Sequence, residues 1–179
     1  TTLFRSDAYR FVGADIDEYF SDVKNDIEGI CYGSYFCEVL EHLCVEGVGD
    51  ADVLNLLYVS LKALEKKQIK NTLIRRVFEL KMLALDGEMM SAFSCAKCGA
   101  EKVSVFSASH NGLLCVSCAG RVADAYPISE STVYAIQYIL SAAINKLYTF
   151  QVTDHPVASS YLVPYRSFDE SWSDRRPNG

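Results

Sequence analysis

Two cysteine pairs, "CAKC" at 95–98 and "CVSC" at 115–118, constrain this chain more than any other feature. A pair of thiolates two residues apart closes one edge of a tetrahedron from a tight turn, and Zn2+ prefers four tetrahedral ligands. Sixteen residues separate the pairs, so Cys95, Cys98, Cys115 and Cys118 are the candidate ligands of one zinc. Gly99 follows the first pair, "HNG" offers a turn before "LLC", and the second pair leads into "AGRVADAY", which reads as a short helix. The expected module is a knuckle, a hairpin, and a knuckle that opens a helix. Four free buried thiols or two redox pairs are the alternatives, and each requires two correctly spaced pairs to coincide by chance. With four protein ligands no position is left for water, so this zinc would be structural rather than catalytic. His110 then reads as an ordinary loop histidine. Cys31, Cys37 and Cys44 lie in a helical pattern and read as small buried hydrophobes.

Around the module the apolar residues step by three and four. Phe20, Val23, Ile27, Ile30, Cys31, Tyr35, Val39, Leu40, Leu43 and Cys44 mark a long amphipathic stretch, with a bend expected near Gly29 or Gly33. "EGVGD" ends it and offers Asp50 as the next N-cap. Val53, Leu54, Leu57, Leu61 and Leu64 carry a second helix, and another is expected from about Asn71 to Asp86. Beyond the cysteines, Pro127 and Ser129 start a helix with Val133, Ile136, Leu140, Ile144 and Leu147 on one face. The expected fold is mainly α: a helical bundle over 15–92 and 127–165, with an inserted four-cysteine zinc-finger module at 93–126. Residues 1–14 loosely alternate and read as a short β remnant of something upstream, and 166–179 as an irregular tail.

At 179 residues, half of them hydrophobic, the chain can bury a core without disulfide staples. No apolar run approaches the ~18–20 residues that span a bilayer, and no signal-peptide pattern opens the chain. Seven cysteines, an odd number, then argue for a reducing, cytoplasmic setting. The first residue is Thr rather than Met, which fits a processed or excised chain. Formal net charge is −6, and four thiolates with one Zn2+ lower it by two more, which argues against general nucleic-acid affinity.

One segment runs against that sign. Between 62 and 81 stand seven Lys or Arg, opposed only by Glu65 and Glu79. Lys62, Lys66 and Lys67 read as a solvated helix surface, and Arg75 has Glu79 four residues on. Lys70, Arg75, Arg76 and Lys81 are the candidate contacts to a partner or to DNA. Lys81 falls inside the apolar face formed by Leu73, Ile74, Val77, Leu80 and Ala84, which leaves two readings. Either it snorkels its ammonium to water, or it forms an anion site on the rim of a hydrophobic groove. Such a groove suits an acidic partner ending in apolar residues better than bare DNA. A phosphate track along the whole segment is a further possibility.

The stretch "LIRRVFELKMLALDGEMMSAFSCAKCGAEKVSVFSASHNGLLCVSC" resembles the RecO family of bacterial recombination mediators. The likeness rests on Arg75, Arg76, Phe78, Glu79, Leu80 and Lys81, then Cys95, Cys98, Gly99, Phe106, Ser107, Gly112, Leu113, Leu114, Cys115 and Cys118. "YFCEVLEHL" is similar to the family's first core helix and "ISESTVYAIQYIL" to the helix after its zinc module, so the likeness covers roughly 10–150. The resemblance implies DNA repair and recombination without enzymatic turnover. It implies single-stranded DNA binding, work with RecR to help RecA displace single-stranded-DNA-binding protein (SSB), and a helical domain that receives SSB's acidic, phenylalanine-ended tail. The family begins with an OB-fold domain of which residues 1–14 would be only the end, so DNA binding by this chain alone is expected to be weak. ArfGAP-type zinc fingers share the sixteen-residue spacing but use an arginine five residues after the last cysteine. Ala123 stands there, and Arg121 comes too early. A zinc-stabilised protein-interaction or GTPase-activating domain of that type is the alternative.

Overall fold

The periodic segments fold as helices, and the first departure from expectation comes at Asn25. In the computed structural model, which describes residues 12, 13, 15–44 and 51–149, a short α1 (Ser21–Lys24) precedes α2 (Ile27–Leu43). The break falls there because Asp26 adopts extended backbone and caps α2, its carboxylate accepting from the Glu28 N–H at 3.2 Å. Gly29 and Gly33 do not interrupt the helix. A Cβ on Gly29 would lie 3.0 Å from the Val23 carbonyl oxygen, so the glycine lets α1 and α2 approach closely.

The inward face of α2 consists of Gly29, Gly33, Phe36, Val39 and Leu40. Cys31, Cys37 and Cys44 are exposed, which corrects the expectation that they are buried. Cys31 lies on the opposite side of the helical wheel from the glycine and phenylalanine stripe, Cys37 lies on its flank, and Cys44 follows the last turn as the C-cap. A small apolar residue fits the sequence pattern of either face, and packing selects which one is covered.

Helices α3 (Ala51–Lys66) and α4 (Asn71–Leu85) pack against α2 and against each other. Phe36 of α2 stacks on Phe78 of α4 with ring centroids 4.2 Å apart. Leu56, Ile74, Val77, Ile139 and Leu147 are fully buried around them. Burying each such side chain contributes roughly 1.5–3 kcal/mol. Helix α4 spans the residues expected of it. In α3 the core side shifts from the expected stripe to Val53, Leu56, Ser60, Ala63 and Leu64, and Leu54 is exposed. Buried Ser60 satisfies its hydroxyl on the Leu56 carbonyl at 2.7 Å and pairs with the Tyr148 hydroxyl at 2.7 Å.

Three short strands follow: β1 (Val105–Ser107), β2 (Gly112–Leu114) and β3 (Ala125–Pro127), in the antiparallel order β2-β1-β3. Val105 pairs with Leu114 on one side and Pro127 on the other. Every residue of β1 and β2 is buried, so this hairpin has no polar face. The short helix after the second cysteine pair, α5 (Val116–Ala119), stops early, and β3 occupies the end of the segment read as helix. Pro127 closes this edge strand instead of opening a helix, as suits a residue with no N–H for a ladder.

Helix α6 (Glu130–Ser141) begins at Ser129, whose hydroxyl accepts from the Thr132 N–H at 3.2 Å. The expected helix continues to Leu147. The observed one ends at Ser141, and a 3-10 turn (Ile144–Lys146) then carries Leu147 back into the core. Met90, Ala92, Cys95, Val103, Val105, Phe106, Leu113 and Leu114 belong to the same buried cluster as Phe36 and Phe78. The cysteine module is therefore continuous with the helical core. The architecture is mainly helical, with a small three-stranded sheet and a four-cysteine cluster. Asp50 as an N-cap, the β remnant apart from residues 12 and 13, and the C-terminal tail lie outside the described residues.

Candidate metal centre

The module is positioned by backbone before any thiol is considered. The Leu113 N–H donates to the Ser91 carbonyl at 2.7 Å and the Ser91 N–H to the Asn111 carbonyl at 3.0 Å, so the entering segment lies against β2. Gly112 sits at that contact. A Cβ there would be 2.6 Å from the Ser91 carbonyl oxygen, closer than real side chains come. The Ala96 N–H then donates to the Leu113 carbonyl at 2.8 Å, which ties the first knuckle to the hairpin. From α6, the Gln137 side-chain amide donates to the Ala92 carbonyl at 2.8 Å.

Each pair sits on its own tight turn. In the first, the Gly99 N–H donates to the Cys95 carbonyl and the Cys95 N–H to the Ala100 carbonyl, both at 2.8 Å. Gly99 adopts φ +76°, a conformation that glycine reaches without strain. In the second, Cys115 is the N-cap of α5, and the Cys118 N–H donates to its carbonyl at 3.1 Å. The four Sγ atoms all lie within 4.8 Å of one another, and those of Cys98 and Cys115 are 3.7 Å apart. Sulfurs about 2.3 Å from a shared tetrahedral centre stand about 3.8 Å apart, so the cluster has the dimensions of a thiolate metal site. None of the four is in a disulfide.

Titration reflects this crowding. Hydrogen bonds from the backbone of Cys115, then of Lys97 and Cys98, hold Cys95 down at about 6. Hydrogen bonding with the Cys98 and Cys115 thiols pushes Cys118 up to about 12. Four adjacent thiols cannot all ionise unaided, and a bound cation removes that conflict.

His110 is outside the cluster. Its Nδ1 faces the hydroxyls of Ser107 and Ser109, each at 3.1 Å. Both hydroxyls donate to one carboxylate oxygen of Asp124, at 3.0 and 2.8 Å, and the Ser109 N–H donates to the other at 2.7 Å. The Ser109 backbone and hydroxyl together hold Asp124 at about 2. This clamp joins the β1–β2 turn to the residue before β3. Sequence reasoning missed it, and the run of small hydroxyls in "FSASH" was its only trace.

The basic segment is largely engaged by acids. Lys62 bonds Glu18, and Glu65 at 2.7 Å, while Lys67 pairs with Asp26 at 3.0 Å. Buried Glu79 accepts from Arg75 Nε at 2.7 Å, from an Arg76 Nη at 2.9 Å and from the Tyr35 hydroxyl at 2.7 Å. Arg75 also lies over the Tyr35 ring, 4.7 Å from its centroid. Burial, then the Glu79 charge, pushes the Tyr35 hydroxyl well above its ordinary value. Each guanidinium gives Glu79 one nitrogen. Lys70 is exposed at the N-cap position of α4.

Lys81 fits neither reading offered for it. It is 8% exposed, and its ammonium donates to the carbonyls of Leu140 at 3.1 Å and Ala142 at 2.8 Å, at the end of α6. It satisfies orphan carbonyls of a helix terminus, while burial holds it below the ordinary lysine value. Among the predicted contacts, then, Arg75 and Arg76 are brought together and Lys81 is directed elsewhere. The position five residues after the last cysteine, Ala123, is an exposed turn residue.

Fold and cluster together define a class: a helical domain whose core runs into a four-cysteine knuckle module. A family profile described as "Recombination protein O C terminal" matches residues 24–159, and the chain belongs to that family. Among its relatives is the DNA repair protein RecO of Acetivibrio thermocellus, 30% identical over 155 residues, covering 85% of this chain and 62% of the relative. The DNA repair protein RecO of a Thermoanaerobacter species is 28% identical over 153 residues, covering 84% and 62%. That of Alkaliphilus metalliredigens is 28% identical over 140 residues, covering 77% and 57%. The chain thus spans less than two thirds of the length of these relatives. Among the described residues, no helix is long and apolar enough to cross a membrane.

Proposed function

We propose that this chain is the helical and zinc-binding part of a DNA repair mediator that acts without catalytic turnover. The family match over 24–159 carries the reading. In it, the cysteine cluster holds one structural Zn2+. The helical domain docks the acidic, phenylalanine-ended tail of SSB and, with RecR, helps load RecA on single-stranded DNA. Lys70, Arg75 and Arg76 are the cations assigned to the tail, and Lys81 serves the fold at the end of α6. Charge-assisted contacts of this kind contribute ~1.5–3 kcal/mol each where water is excluded, and they weaken with salt. The overall charge of −6 opposes a long polyanion such as bare DNA more than a short acidic tail at this surface, with the stronger DNA grip assigned to the rest of the mediator.

Fluorescence anisotropy tests this with a labelled SSB-tail peptide and, in parallel, labelled oligo-dT. The expected outcome is salt-sensitive peptide binding that falls when Arg75 and Arg76 are replaced by Ala, with weak oligonucleotide binding. Circular dichroism of the variants checks that baring Glu79 has left the helices intact. Peptide binding that is absent, or indifferent to both arginines, overturns the assignment.

A further inference from the structure

The four thiols of the cluster differ in access. Cys95 is 3% exposed and anchored by backbone hydrogen bonds, Cys115 and Cys118 are half-buried, and Cys98 is open to solvent. The cause is the first knuckle. Ala96, Lys97, Gly99 and Ala100 are all exposed, and a Cβ on Gly99 would meet nothing within 4 Å. Cys95 faces the shared core while Cys98 sits on the outer turn. One of the sulfurs beside it is Cys115 Sγ, 3.7 Å away, itself less buried than Cys95.

We propose that Cys98 is a modification site for hydrogen peroxide, and that its oxidation discharges the metal held by the cluster. The inference rests on reading the cluster as a zinc site. A thiolate held by zinc remains a nucleophile, and attack by oxidants follows exposure. The Cys98 sulfur attacks the peroxide, the O–O bond breaks, and the leaving hydroxide takes a proton to become water. Cys98 is now a sulfenic acid, oxidised by two electrons. Cys115 Sγ then attacks that sulfur, forming a disulfide and expelling a second water. Cys98 and Cys115 are then withdrawn as ligands, and Cys95 and Cys118 alone would hold a zinc too weakly to keep it. A dithiol reductant and added Zn2+ reverse the sequence, because nothing passes beyond the disulfide.

The test uses the whole chain, purified without added metal, with its zinc counted first. Zinc absent at that stage would refute the metal-site reading itself, and with it this inference. With zinc present, one equivalent of hydrogen peroxide is added, release is followed with a chromogenic chelator, and the cysteines are mapped by mass spectrometry. Expected are one zinc released per disulfide, a Cys98–Cys115 linkage, and Cys95 recovered as a thiol. Cys98→His keeps four ligands and is expected to lose the peroxide-driven release. Zinc released while Cys98 stays reduced overturns the proposal. So does zinc retained while exposed Cys31, Cys37 or Cys44 consumes the oxidant.

Discussion

Lys81 places a charge inside an apolar helix face, and its long unbranched stem makes that tolerable. The stem lies along the core and the ammonium reaches the last carbonyls of α6, where the helix dipole favours a cation. Lys81→Met retains the packing and strips Leu140 and Ala142 of their donor. The expected loss is ~1–3 kcal/mol in urea unfolding, with little change in helix content. Asp124 allows a pH argument. Its folded value, about 2, lies below the ordinary carboxylate value. Its contribution is therefore present above about pH 4 and is lost as pH falls through about 2. The stability difference between wild type and Asp124→Asn should be constant above about pH 5 and narrow below about 4, as read by unfolding titrations of both proteins.

At the scale of elements, two short-range features set boundaries that periodicity alone blurred. Ser129 caps α6, and Ser129→Ala should cost about 1 kcal/mol, measured as a lower urea midpoint. Gly112 is required by contact. Gly112→Ala puts a methyl 2.6 Å from the Ser91 carbonyl oxygen, a backbone atom that cannot rotate aside. The variant should lose ~1–3 kcal/mol and give up the proposed zinc to a chelator faster than wild type does. Wild-type stability in the Gly112→Ala variant would mean that Ser91 does not lie against β2. Helix α2 carries the opposite lesson. Its two glycines fit a bend as readily as a close approach, and only α1, folded back against Gly29, distinguishes the two.

For the whole molecule, continuity of the core matters most. Cys95, Val105, Leu113 and Leu114 are buried with Phe36 and Phe78, so the module and the helices are expected to unfold together. Chelating the proposed zinc should lower the thermal midpoint of the helical signal, not only that of the module, and elemental analysis should find one zinc per chain. A helical transition unmoved by chelation would show the module to be energetically separate. Charge is also settled at this scale. The excess counted over 62–81 omits Glu18 and Asp26, which lie far earlier in the chain and engage Lys62 and Lys67.

Local chemistry determined much of this protein. Two Cys-x-x-Cys pairs made a four-thiol cluster legible, because each knuckle is one turn of backbone. The span of α4 was legible too, since a helix needs only neighbours three and four residues away. Tertiary structure decided what depends on distant partners: which face of α2 is covered, and so the exposure of Cys31 and Cys37. It decided that Lys81 meets the end of α6, and that Glu79 gathers Tyr35 with two arginines. It made "AYP" an edge strand, since three residues hold too little periodicity to declare themselves and pair only because β1 is already there. It also ranked four chemically identical thiols by access, because burial belongs to the packed molecule and not to any residue within it.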